Sequence, residues 1–147
     1  MDAHSLNSAS ELFALFPEWR SLARKEKEEG GTEFLVVEVT PPPEASVEYG
    51  LTIDTAGGQV TVGFDYYHAH FDAWVGDGES FGTKAALEFI QQIVSEKVAV
   101  ASWWKGGDWK GSTQVPAGEK PKMTWMADYD RVRVRSWKEG LNADVAV

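Results

Sequence analysis

The sequence contains no cysteine among its 147 residues. This absence excludes disulfides, zinc–thiolate clusters, iron–sulfur sites and thiol catalysis, and it is typical of proteins from a reducing compartment. The sequence also lacks a long apolar run, and its first ten residues, MDAHSLNSAS, lack the basic and apolar regions of a signal peptide. We therefore expect a soluble, cytoplasmic protein.

Positive charge is scarce as well. The 14 basic residues face 23 acidic ones, which gives a formal net charge of −9. Between Glu33 and Thr83 the chain has nine acidic residues and no Lys or Arg. Proteins that bind nucleic acids or anionic membranes use basic residues to neutralise phosphates, so we expect neither kind of partner. An uneven charge of this sign instead favours association with a basic protein surface.

The length and composition indicate one folded domain over residues 1–147, since 43% of the residues are hydrophobic and 12% are aromatic. Ser8 and Glu11 have capping-box spacing, and apolar residues then recur at helical intervals, which predicts a helix from Ser8 to Glu29. Pro17 either kinks this helix or begins a second one in its first turn. Gly30 and Gly31 end it.

The remainder of the sequence alternates between strand and helix patterns. A β-branched run predicts a strand over 34–39, and two alternating segments around Ala56-Gly57-Gly58 predict a hairpin. Thr83 is placed to cap a helix that ends near Lys97, after a loop over 76–82. Further short strands are predicted over 98–103, 109–115, 123–129 and 131–137. The predicted fold is α+β, a mainly antiparallel sheet of about six strands with two helices packed on it.

The hairpin alternation places carboxylates on the solvent face of the sheet. Glu48, Asp54 and Asp65 are predicted to point outward, with no cation nearby in the sequence. The strand Arg131-Val-Arg133-Val-Arg135 offers an alternative, because its three guanidinium groups share one face. If it joined the same sheet, its arginines would pair with Glu48, Asp54 or Asp65 and neutralise that face.

A second candidate site lies in Asp65-Tyr-Tyr-His68-Ala-His70-Phe-Asp72. In an extended strand, His68 and His70 point to the same side, as in many metal sites, and His-x-His-x-Asp begins the ligand signature of metallo-β-lactamase-type hydrolases. Here the next residue is Ala73 rather than a further His. Asp65, Asp72 or Asp77 would have to complete a metal site. The other interpretation is a strand end whose side chains bond to each other or face a partner.

Seven tryptophans form the third candidate feature. Strand alternation turns Trp103 and Trp104 to opposite faces, so we expect one ring in the core and the other at the surface. Exposed tryptophans serve as anchors in protein interfaces or as stacking platforms for sugars. A sugar-binding module would need at least two of them exposed on one face.

The stretch from Gly58 to Asp72, the helix Lys84 to Lys97 and the stretch from Val100 to Ser112 resemble small bacterial immunity proteins of polymorphic-toxin and contact-dependent inhibition systems. The resemblance implies a cytoplasmic, non-enzymatic protein that binds and neutralises one cognate toxin domain. A carboxylate-rich surface also suits a basic cleft such as that of a nuclease toxin. We expect no cofactor and no metal; the alternative is a small metal-dependent hydrolase centred on the two histidines. The predicted partner-binding residues are Glu48, Asp54, Asp65, Tyr67, His68, His70, Asp72 and Trp104.

Overall fold

Two antiparallel sheets and two α-helices make up the part of the chain that the structure, a computed structural model, describes: residues 1–72, 79–121 and 128–146. The helices are α1 (Ala3–Leu15) and α2 (Glu79–Val94), and short 3₁₀ helices occupy Pro17–Leu22, Pro43–Ala45 and Ala56–Gly58. The strands are β1 (Ala23–Lys27), β2 (Glu33–Val39), β3 (Leu51–Asp54), β4 (Gln59–Phe64), β5 (Tyr67–Asp72), β6 (Val98–Lys105), β7 (Asp108–Pro116), β8 (Arg131–Arg135) and β9 (Ala143–Ala146).

The predicted α+β class with mainly antiparallel pairing is confirmed. The described strands form a five-stranded sheet of order β1-β2-β3-β4-β5 and a four-stranded sheet of order β7-β6-β8-β9. Nine strands in two sheets thus replace the single sheet of about six that the patterns predicted. The unpredicted β1 and β9 are both exposed along their whole length, so neither carries the apolar alternation that marks a half-buried strand.

The N-terminal helix differs from its predicted bounds at both ends. It begins at Ala3, because the Asp2 carboxylate accepts the Ser5 backbone N–H at 2.8 Å and caps the first turn. It ends before Pro17, which starts a separate 3₁₀ helix, as the second alternative for that proline predicted. The prediction of helix up to Glu29 is wrong, because residues 23–27 instead pair with β2 in an antiparallel ladder.

The hairpin predicted around residues 56–58 is confirmed. Ile53 pairs with Val62 and Asp54 with Thr61, so the apolar and polar sets face opposite sides as the alternation required. The chain then turns at Asp65 and Tyr66 and returns as β5. Asp65 adopts a left-handed conformation with φ of 52°, which ends the alternation there.

The chain divides into two compact units, each described by itself. Unit 1 comprises residues 1–40, 50–63 and 68–90, and unit 2 comprises residues 41–49, 64–67 and 91–147. The single domain expected over residues 1–147 stays a prediction.

In unit 1, both helices pack against the apolar face of the first sheet. Leu12 of α1 and Ile90 of α2 line the same small cavity as Leu35 and Ile53 of the sheet. The helix α2 begins at Glu79, so the predicted loop is wrong over residues 79–82, as is the predicted cap at Thr83, while residues 76–78 of that loop lie outside the described residues. Thr83 lies buried within α2, where its hydroxyl bonds to that of Ser8 at 3.0 Å.

In unit 2, the core lies on one face of the four-stranded sheet. Ala101, Trp103, Val115 and Val132 form its buried cluster, against which Tyr129 packs.

The predicted strand over 123–129 falls largely outside the described residues, as do Trp74, Asp77 and Trp125. The helices of the described residues are all too short or too polar to cross a membrane.

Candidate functional site

The eight predicted partner-binding residues are divided between the two units. Unit 1 holds Asp54, His68, His70 and Asp72, and unit 2 holds Glu48, Asp65, Tyr67 and Trp104. Glu48, His68 and His70 are exposed, whereas Asp54, Tyr67, Asp72 and Trp104 are half-buried. Each unit therefore carries its own part of the predicted set.

Asp65 is not a surface carboxylate. Its side chain is 0% exposed, and Nη1 of Arg133, a side chain only 12% exposed, donates to both carboxylate oxygens at 3.0 and 3.2 Å. The Glu48 backbone N–H donates a third hydrogen bond to Asp65 at 2.8 Å. The prediction that Asp65 is an outward carboxylate that contacts a partner is therefore corrected. Asp65 pairs with an arginine of β8, as the alternative predicted, but not within one sheet, because β8 belongs to the four-stranded sheet and β3 and β4 to the five-stranded sheet.

The other arginines of β8 have different environments. Arg135 donates to Asp144 at 3.1 Å and to the Ser46 carbonyl oxygen at 3.2 Å. Arg131 has no ion pair among the described residues, and its guanidinium lies 5.6 Å from the centre of the Trp104 ring. Glu48 is likewise exposed without an ion pair in the part of the chain that the structure describes. The predicted neutralisation of the acidic set is thus limited to Asp65.

The polar face of the first sheet carries Asp54, which lies opposite Thr61 in the ladder. Its carboxylate accepts the Ala56 backbone N–H at 3.1 Å. Burial raises the pKa of Asp54 above its ordinary value, and Glu26 raises it further, while the Ala56 N–H and His70 act in the opposite direction. This carboxylate is therefore partly desolvated, and its predicted contact with a partner stays a prediction.

The two histidines lie side by side on β5, with ring centres 5.1 Å apart. Nδ1 of His70 is 3.1 Å from Gln59 Nε2 and 2.8 Å from Thr61 Oγ1. Both contacts are made by Nδ1, and the donor and acceptor in each follow from the tautomer of the ring.

A metal site would also need further ligands. Within residues 1–72, 79–121 and 128–146, no three His, Asp or Glu side chains are grouped so that they could hold a metal ion. The predicted ligand Asp77 lies outside these residues. The hydrolase alternative gains no support from the geometry of the two histidines.

An exposed aromatic cluster in unit 2 is the most distinctive surface feature. We call it the aromatic patch; its members are Tyr49, Tyr66, Trp104, Trp109 and Arg131. Tyr66 lies at its centre, with ring centres at 5.3 Å for Tyr49, 4.8 Å for Trp104 and 6.0 Å for Trp109. Tyr49 is 55% exposed and Trp109 is 50% exposed. Large aromatic side chains that only pack in a core are mostly buried, so the exposure of these two rings is unusual.

The local sequence explains how the two indoles reach the same place. Gly106 and Gly107 form the turn between β6 and β7 with φ of 56° and 89°, values that glycine adopts without strain. A bulge after Trp103 then sets Trp104 opposite Trp109. Alternation along β6 buries Trp103 in the core and leaves Trp104 half-buried, as predicted for this pair.

Hydrogen bonds within unit 2 hold both indoles in place. Trp104 Nε1 donates to the Ser102 hydroxyl at 3.0 Å, and Trp109 Nε1 donates to the Ser112 hydroxyl at 2.9 Å. Ser112 in turn donates to the Tyr66 carbonyl oxygen at 2.8 Å. The indole N–H groups are thus satisfied internally, so the exposed ring surface is apolar and fixed in orientation before any partner binds.

Burial raises the pKa of the Tyr66 phenol above its ordinary value, and the nearby Glu48 and Tyr49 contribute in the same direction. The guanidinium of Arg133 lies 5.7 Å from the centre of the Tyr66 ring and acts against this rise. Tyr66 therefore stays neutral at physiological pH and contributes ring surface and a hydroxyl to the patch.

Sequence reasoning missed most of the aromatic patch. The alternation placed Tyr49 and Tyr66 on the buried face of the hairpin, but β3 begins only at Leu51 and β4 ends at Phe64. Both tyrosines therefore lie outside these strands, and the strand alternation does not apply to them. The only available signal was Trp109, since a tryptophan directly after Gly-Gly-Asp is close to a turn.

Unit 2 also contains an apolar groove of about 590 Å³. Its lining is mainly aliphatic, from side chains such as Val115, Val132 and Val145, with Glu119 and Lys120 among the polar exceptions. A groove with this lining favours apolar contact over recognition of a charged substrate.

Nearly all of the acidic excess lies in unit 1. By sequence, unit 1 has 13 acidic and five basic residues, whereas unit 2 has ten acidic and nine basic residues. The aromatic patch therefore belongs to an almost neutral unit. Comparison with protein-family models, with curated proteins and with solved structures gave no significant match to this chain.

Proposed function

We propose that this chain is a non-enzymatic immunity protein that binds and neutralises a cognate toxin domain, with the aromatic patch as the centre of its contact surface. The observation that carries the proposal is the exposure of Tyr49 and Trp109 beside Tyr66, Trp104 and Arg131 in one cluster. Tryptophan, tyrosine and arginine are the residue types most enriched among the side chains that dominate protein interfaces. The resemblance to bacterial immunity proteins supports the same function.

The fixed orientation of the indoles supports binding energetically. A side chain that is already held loses little rotamer entropy when a partner covers it. Both tryptophans are held by serine hydroxyls, so their apolar surface is available at low entropic cost. Contact through such rings would exclude water from the centre of the interface.

The charge of unit 1 supports a separate role in association. Its excess of eight negative charges would attract a basic toxin domain, such as a nuclease, and raise the association rate more than the affinity. Of the predicted acidic contacts, Glu48 is the exposed carboxylate near the aromatic patch, and it remains part of the proposed surface. We place this action in the cytoplasm, with neither nucleic acid nor membrane as partner.

The test measures binding of the purified chain to the product of the gene adjacent to its own, since immunity genes adjoin toxin genes in such systems. Trp109→Ala is expected to weaken the complex about 30-fold, as for a central interface anchor. Leu6→Ala is the matched control, because Leu6 is a 56% exposed apolar side chain of unit 1. Equal affinity of both variants, measured by calorimetry, would contradict the proposed surface.

Sugar binding is the second candidate function, because Trp104 and Trp109 both pack against Tyr66 at one surface. Aromatic rings on one face are what a sugar-binding module needs. Titration with a panel of soluble oligosaccharides, followed by tryptophan fluorescence, separates the two candidates. A saturable change that Trp109→Ala abolishes would favour the sugar, and no change up to millimolar concentration would remove it.

A further inference from the structure

Arg131 differs from the other arginines of its strand in having no anionic partner within residues 1–72, 79–121 and 128–146. Asp65 engages Arg133, and Asp144 engages Arg135. Arg131 is exposed, and its guanidinium lies against the Trp104 ring. A guanidinium carries five N–H donors, and stacking on an aromatic face leaves them all available at its edge.

The position of Arg131 makes this available cation part of a larger surface. Its guanidinium lies 5.6 Å from the centre of the Trp104 ring, and Trp104 also contacts Tyr66, so the cation borders fixed and partly exposed aromatic rings. A planar guanidinium held in this way matches the two oxygens of a carboxylate better than a single oxygen or a neutral group. Unit 2 is almost neutral, so an approaching carboxylate meets little net repulsion there.

We infer that Arg131 binds a side-chain carboxylate of the partner protein, while Trp109 and Tyr49 pack on apolar atoms beside it. This inference rests on the proposed function. The partner segment would therefore present an Asp or Glu next to an apolar side chain, within a domain that is basic overall. The acidic charge of unit 1 favours a basic partner, whereas Arg131 requires a carboxylate on that partner. Together these requirements discriminate between partners better than the acidic charge alone, because a uniformly basic surface would leave Arg131 unpaired.

The test compares Arg131→Gln with Arg20→Gln in binding to the adjacent gene's product. Arg20 is also exposed, and its guanidinium lies 5.1 Å from the centre of the Phe13 ring. Both substitutions remove one cation that lies beside an aromatic ring, and both change the net charge by the same amount. Their effects on long-range electrostatic attraction to the partner should therefore be equal. We expect Arg131→Gln to weaken binding about 10- to 100-fold through lost charge-assisted hydrogen bonds. Arg20→Gln should stay within about twofold of the unchanged protein.

Arg131→Lys keeps the charge and loses the fork of donors, so an intermediate loss is expected. Substituting the partner's acidic residues to amides one at a time should identify one whose effect disappears in the Arg131→Gln background. If Arg131→Gln and Arg20→Gln bind alike, this inference is overturned while the proposed function stands. If the unchanged chain does not bind the adjacent gene's product, the proposed function fails and the inference fails with it.

Discussion

Breaking the ion pair between Asp65 and Arg133 from one side is expected to destabilise unit 2 strongly. Arg133→Met keeps the aliphatic stem but leaves the Asp65 carboxylate buried without a counter-charge. Removal of one partner from a buried pair costs about 3 to 5 kcal/mol. Asp65→Asn should cost less, because the amide oxygen still accepts the Glu48 backbone N–H.

The double variant of both residues buries no charge, so we expect its stability to lie within about 1 kcal/mol of Asp65→Asn. The coupling energy is then about 3 to 5 kcal/mol, close to the cost of Arg133→Met alone. Urea denaturation followed by circular dichroism measures each free energy of unfolding. Asp144→Asn is the matched control, since it breaks the Arg135 pair, whose carboxylate is 56% exposed, and should cost less than about 1 kcal/mol. A loss below about 1 kcal/mol for Arg133→Met, or strict additivity, would refute the reasoning.

Three further changes test other parts of the fold. Gly111→Ala would place a Cβ 2.7 Å from the buried Trp103 ring, so the free energy of unfolding in urea should fall by about 1 to 3 kcal/mol. Asp2→Ala removes the cap of α1 and should cost about 1 kcal/mol in the same measurement, whereas Asp2→Asn should cost less. Because burial raises the folded-state pKa of Asp54 above its unfolded value near 3.8, stability should fall as pH rises through that window. Melting temperatures measured from about pH 3 to pH 7 should show this fall. Asp54→Asn should remove the part of the fall that Asp54 causes.

The central elements of the fold could be predicted because their side chains alternate. In β3 and β4, Leu51, Ile53, Val60 and Val62 are buried, while Thr52 between them is exposed. A period of two on a half-buried sheet specifies both the strands and their register. The same reasoning predicted that one of Trp103 and Trp104 would lie in the core and the other at the surface.

The edge strands could not be predicted in this way. Residues 23–27 have the sequence Ala-Arg-Lys-Glu-Lys, which favours a helix by intrinsic propensity. They form an edge strand because their backbone pairs with β2, and Arg24 contacts Glu38 of that strand at 3.2 Å. Charged side chains are also what protects an exposed sheet edge from further pairing. Backbone pairing across the turn at residues 28–32 overrode local propensity here, and the side chains of β1 carry no alternation that would indicate it.

The candidate site shows the limit of reading charge from a linear sequence. Asp65 and Arg133 are 68 residues apart, and only the folded chain brings them within 3.0 Å. Local alternation predicted an outward carboxylate, because it did not include the left-handed turn that begins at Asp65. The aromatic patch was missed for the same reason, since Tyr66 belongs to that turn.

The turn at Asp65 and Tyr66 links stability to the proposed surface. Its carboxylate binds Arg133, whose guanidinium also lies over the Tyr66 ring, and its Tyr66 carbonyl accepts the Ser112 hydroxyl that holds Trp109. Loss of the Arg133 pair should therefore loosen the ring around which the aromatic patch is built. If the patch binds a partner as proposed, Asp65→Asn should weaken that complex without any direct contact. Addition of the partner should in turn raise the stability of the unchanged chain more than that of the variant.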